Sequence, residues 1–163
     1  MKNYARLLVT STITATALSS LLFAGTGANA ATAVDDTPPP IVETYDYPGA
    51  EQIFAERGIR LLKGDGHILF ADCGSGGNLV EVWSRTAQTP FCFRITGAQG
   101  FLSLSLARVY LIKGDDHVLR ATMLIKDAPA IIDVAKNQWT SVGEGADPQN
   151  GPSALVELNS GNS

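Results

Sequence analysis

Short apolar runs recur from Ile59 to the end of the chain, each a few residues long and punctuated by Gly, Asp, Asn or Pro. Spacing of this kind belongs to sandwiches and barrels of short strands. Within 101–107 the sequence Phe-Leu-Ser-Leu-Ser-Leu-Ala puts Leu102, Leu104 and Leu106 on one parity and Ser103 and Ser105 on the other. That is a period of two, a strand with one face on a core and one in water. Strands are predicted at 59–63, 67–72, 79–84, 91–96, 101–107, 108–113, 117–125, 130–134, 138–142 and 153–158. One helix is predicted at 48–57, with Pro48 at its start, Glu51 in its first turn and Gly58 just past its end. So short a helix needs Ile53 and Phe54 packed on a sheet to hold it. The predicted fold is mainly β, an antiparallel β-sandwich (jelly-roll-like or similar) with this one short N-terminal helix.

One pattern occurs twice. Leu61-Leu62-Lys63-Gly64-Asp65-Gly66-His67-Ile68-Leu69 aligns with Leu111-Ile112-Lys113-Gly114-Asp115-Asp116-His117-Val118-Leu119, and the two copies hold both histidines of the chain. An apolar run, a polar turn and a second apolar run read as a β-hairpin, with Asp65-Gly66 suited to a type I′ turn. In the second copy Asp116 stands where the first has Gly66, which predicts a type I turn with Gly114 or Asp116 in the left-handed region. Two such hairpins suggest an internal repeat.

The N-terminus changes the compartment. Lys2 and Arg6 precede an uncharged run from Leu7 to Ala24, and Ala28-Asn29-Ala30 has the small-x-small form of a cleavage site. Residues 1–30 are therefore predicted to be a signal peptide. Residues 31–46, with Asp35-Asp36-Thr37-Pro38-Pro39-Pro40, read as a flexible Pro-rich leader, leaving 47–163 as a single β-rich domain. Lys2 and Arg6 leave with the signal, so ten basic residues stand against sixteen acidic ones in the exported chain. A net negative chain lacks the clustered cations that nucleic acid or an anionic membrane requires, and no membrane anchor is expected after cleavage. Cys73 and Cys92, the only cysteines, are expected to form a disulfide in an oxidising compartment.

Candidate chemistry gathers at the repeated turns. If both lie at one end of a sandwich, Asp65, His67, Asp115, Asp116 and His117 form a mixed imidazole and carboxylate set suited to Zn²⁺ or a similar divalent cation. No other cofactor is expected. The competing reading makes each turn a solvated one, in which Asp caps backbone N–H groups. Gly-rich Cys73-Gly74-Ser75-Gly76-Gly77-Asn78 resembles the serine loop of chymotrypsin-like proteases only superficially: Gly74 stands where an Asp is needed and no partner histidine segment precedes it. Glu144 and Asp147 are a further carboxylate pair. Trp83 and Trp139 are candidate sugar-stacking surfaces if exposed, but the favoured placement for both is the core.

Tyr47-Pro48-Gly49-Ala50, Ala55-Glu56-Arg57-Gly58-Ile59, Leu62-Lys63-Gly64-Asp65-Gly66-His67, Ala71-Asp72-Cys73, Phe91-Cys92-Phe93 and Ser141-Val142-Gly143-Glu144-Gly145 occur in that order. Together they resemble a group of small secreted proteins of filamentous actinobacteria, over about Tyr47 to Leu158. The resemblance implies export and a shared fold, and it carries no catalytic residue. The expectation is an extracellular binding or interaction module with a protein or cell-wall polysaccharide partner. The alternative is a small secreted hydrolase or metal-binding protein using the two Lys-Gly-Asp-x-His turns.

Overall fold

Alternating burial builds the sheets. Leu102, Leu104 and Leu106 are buried while Ser103 and Ser105 turn outward, and Val80 and Val82 are buried while Glu81 and Trp83 turn outward. The structure, a computed structural model, describes residues 45–161. The predicted signal peptide, and the leader apart from Tyr45 and Asp46, lie outside the described residues. Ten strands form: β1 (Arg60–Gly64), β2 (Ile68–Ala71), β3 (Val80–Ser84), β4 (Phe91–Ile95), β5 (Gly100–Ala107), β6 (Val109–Lys113), β7 (Leu119–Ile125), β8 (Ala128–Val134), β9 (Trp139–Ser141) and β10 (Ser153–Ser160). Each matches a predicted strand, with ends moved by a few residues.

The strands make two five-stranded antiparallel sheets, β1-β5-β10-β7-β8 (sheet I) and β2-β4-β3-β6-β9 (sheet II). Their facing sides enclose one core that includes Leu61, Val82, Phe93, Leu104, Ile112, Met123 and Leu155. The protein is an antiparallel β-sandwich. β-Bulges in β1 and β10, on either side of β5, break the register of sheet I between Leu61 and Lys63 and between Leu155 and Glu157.

The helix α1 (Ala50–Arg57) packs on β1. Gly49, at φ 69°, takes the N-cap, so Pro48 sits before the helix instead of opening it; Gly58, at φ 72°, ends it with its N–H donated to Phe54 O. Ile53 reaches the core as expected. Phe54 does not: it is exposed, with the Arg60 guanidinium 4.1 Å from its ring centre. Just before the helix, Tyr47 Oη accepts the N–H of Phe70 on the edge strand β2.

The repeated turns are not hairpins. β1 pairs with β5 and β2 with β4, while β6 pairs with β3 and β9 and β7 with β10 and β8. The first turn therefore carries the chain from sheet I to sheet II, and the second carries it back. Local Asp-Gly chemistry favours a tight reversal, but apolar faces on both flanking runs are satisfied by entering opposite sheets. Of the turn residues only Gly66 has a positive φ, 83°; Asp65, Gly114 and Asp116 do not. What both copies share is an Asx turn, in which the Asp65 and Asp115 Oδ1 atoms accept the backbone N–H of His67 and His117, each at 3.0 Å. A two-residue hairpin with both central residues at positive φ is found instead at Lys126-Asp127, between β7 and β8.

Gly64 and Gly114 are required for close approach. A Cβ at Gly64 would lie 3.2 Å from the Phe101 carbonyl oxygen, and one at Gly114 would lie 2.5 Å from that of Ala135. Gly114→Ala is expected to cost roughly 1–3 kcal/mol, as overpacking against backbone does, and Gly64→Ala less, so the urea midpoint of Gly64→Ala should lie above that of Gly114→Ala.

Candidate functional site

Strand register places both Asp-x-His turns at one end of the sandwich. Gly64 at the end of β1 pairs with Leu102, and Ser160 at the end of β10 pairs with Gly100 and with Leu119 at the start of β7. In sheet I, β1 and β7 are three strand spacings apart, about 14 Å. The loop before β5 and the end of β10 lie between them: His67 packs against Gly97 and Gly100, and Gly161 donates its N–H to Val118 O. Among the described residues, only Asp115, Asp116 and His117 bring donor atoms together, within 4.8 Å of one another. Asp65 and His67, both exposed, do not join them, so the five-residue set predicted from the sequence is divided.

The two copies also differ in burial. Asp115 is 1 % exposed, its Oδ1 accepts the His117 N–H, and its Oδ2 lies 2.7 Å from His117 Nδ1. This fixes the imidazole orientation. Asp116 Oδ1 is 3.7 Å from the same nitrogen, and Asp116 and His117 line an open cleft with Gln99 and Lys136. Asp115→Ala removes a buried carboxylate that holds the half-buried His117 and should lower stability by about 1–3 kcal/mol, whereas Asp65→Ala, at an exposed turn, should cost under about 1 kcal/mol. Equal losses in chemical denaturation would mean that the buried pair holds nothing the exposed turn lacks.

The remaining sequence candidates are engaged structurally. Ser75 Oγ and the Gly76 carbonyl accept hydrogen bonds from Arg94, which holds the Gly-rich loop to β4. Glu144 is ion-paired with Arg85, and Asp147 caps a single 3₁₀ turn through Oδ1 and the Gln149 N–H. Cys73 and Cys92 are disulfide-bonded. Cys92 is buried on the side of β4 opposite Phe91 and Phe93 and pairs with Glu81, so the bond pins the loop beside the outer face of sheet II.

That outer face holds both tryptophans, which corrects their expected core placement. Residues directly opposite each other on antiparallel strands share a face. Trp83 lies opposite Leu111 and Leu111 opposite Ser141; one row away, Glu81 lies opposite Lys113 and Lys113 opposite Trp139. Trp139 is 51 % exposed and Trp83 half-buried. Lys113 and Glu81 form an ion pair at 2.8 Å, and Lys113 Nζ sits 5.8 Å from the Trp139 ring centre. The Trp83 indole N–H is covered and has no hydrogen-bond partner among the described residues. Two strand spacings and two residues separate the tryptophan backbones, about 12 Å, wider than one sugar ring. The signal for this was present: Trp83 shares parity with Glu81 and opposes that of Val80 and Val82, and Trp139 opposes the parity of Val142, which is buried.

No protein-family model and no curated protein matches this chain. The site therefore rests on its own geometry.

Proposed function

We propose that the protein is a secreted binding module that holds a cell-wall polysaccharide on the outer face of sheet II. The observation that carries this reading is the placement of Trp83 and Trp139 on one face of one sheet, with the Lys113–Glu81 pair beside them. An exposed indole face offers a broad apolar surface to the C–H face of a sugar ring, and a neighbouring charged pair offers directional hydrogen bonds to hydroxyls. A sheet face with two indoles about 12 Å apart suits an extended chain of sugars. A protein partner fits less well, because the centres of protein interfaces are depleted of charge and here the ion-paired Lys113 and Glu81 stand beside the two indoles. The predicted signal peptide and the resemblance to exported actinobacterial proteins support an extracellular site of action, and the disulfide is consistent with it.

Retention on insoluble cell-wall polysaccharide tests the reading. Trp139→Ala should weaken retention by about 2 kcal/mol, roughly thirtyfold, as loss of an aromatic anchor does, with the melting temperature unchanged. A wild-type protein that is not retained, or a variant retained equally well, would reject this face as the binding surface.

A further inference from the structure

At the opposite end of the sandwich from the Asp-x-His turns lies a cleft of about 500 Å³, within the size range of small-molecule sites. Its walls are the β5–β6 connection, the Lys126-Asp127 hairpin tip and the chain leading into β10. Leu124, Pro152 and Ala154 supply apolar surface, while Arg108, Lys126 and Asp127 supply charge. None of these three charged side chains forms an ion pair among the described residues.

The backbone at Arg108 is fixed by its surroundings. It is the single residue joining β5 in sheet I to β6 in sheet II, and its φ is 55°. Gly or Asn would occupy this left-handed position at lower conformational cost. Three successive carbonyls fix the backbone: Ala107 O accepts from Ser84 Oγ, Arg108 O from the Arg85 N–H, and Val109 O from Ser153 Oγ. Both serines are buried, 2 % and 3 % exposed. An unfavourable conformation persists where its surroundings over-determine it, and such positions cluster at ligand sites. Across the cleft, Lys126 and Asp127 also sit at positive φ, 51° and 62°, in the two-residue turn.

We propose that this cleft binds a small monoanionic carboxylate bearing a short apolar tail. Arg108 supplies a planar fork that matches a carboxylate, Lys126 adds a second cation, and Leu124, Pro152 and Ala154 take the tail. Arg108, Lys126 and Asp127 together carry a net charge of +1, which one carboxylate balances and a dianion such as phosphate exceeds. The site is independent of the tryptophan face.

The test follows backbone amide shifts of the exported protein during titration with hexanoate, hexanamide and inorganic phosphate. Hexanoate should give saturable shifts at Arg108, Lys126 and Gly151. Arg108→Asn, which suits the left-handed backbone and so keeps the fold, should weaken hexanoate at least about tenfold, and Lys126→Asn should weaken it too. Hexanamide and phosphate should give no saturable shifts at these residues. The proposal is overturned if hexanoate produces no saturable shift, if hexanamide or phosphate matches it, or if Arg108→Asn binds hexanoate as the wild type does.

Discussion

Replacing Phe93 with alanine is expected to remove about 4 kcal/mol of stability, within the range for deleting a buried aromatic ring. Phe93 is fully buried on β4, paired with Phe70 on β2 and with Val80 on β3, and its ring meets that of Phe70 edge-on at 5.8 Å. Truncation leaves a cavity between the sheets and also removes this aromatic contact. A loss of that size is a large share of the roughly 5–15 kcal/mol that domains possess. Phe93→Leu keeps most of the volume and should cost less than about 2 kcal/mol. Urea unfolding of both variants checks the pair; similar midpoints for Phe93→Ala and wild type would mean that the sheets are not closely packed around this ring.

Removal of the disulfide is the next largest effect. Cys73 and Cys92 are 19 residues apart, and freeing the loop they close should lower stability by about 3 kcal/mol through the unfolded chain. For a domain of this size that is a fall in melting temperature on the order of 10 °C. The double variant Cys73→Ala/Cys92→Ala avoids leaving a thiol at the buried Cys92 position. Because Cys92 pairs with Glu81, release of the Gly-rich loop should also loosen the edge of the tryptophan face. Polysaccharide retention should fall less than with Trp139→Ala, since both indoles and the Lys113–Glu81 pair stay on their strands. Scanning calorimetry of oxidised protein against the double variant measures the stability term; coincident transitions would contradict it.

Strand existence was legible because each strand carries its own evidence. Leu102, Leu104 and Leu106 alternate with serines, and turn residues mark the ends, so no long-range information is required. Partner choice was not legible. The Lys-Gly-Asp-x-His segments contain the signals of a hairpin, but whether a chain reverses or crosses depends on strands distant in sequence: β1 finds β5, and β6 finds β3 and β9. The same distance hid the reason for Gly64 and Gly114, which lies in the carbonyls of Phe101 and Ala135 and not in their own dihedral angles. The disulfide was readable from count and compartment. The division of the His and Asp set was not, because the loop before β5 and the end of β10 come between the turns only once sheet I is assembled. For the tryptophans the information was local. The parity of Val80 and Val82 against Glu81 assigns Trp83 to the outer face, and this parity outweighs the general tendency of tryptophan to be buried.

Affinity for a soluble cell-wall oligosaccharide, measured by calorimetric titration of wild type, Trp139→Phe and Trp139→Ala, tests the polysaccharide face most directly. Stacking on the outer face of sheet II should give a graded series, with Phe retaining part of the affinity and Ala losing about 2 kcal/mol, roughly thirtyfold. Binding that is unchanged in Trp139→Ala, or no binding by the wild type, would contradict it.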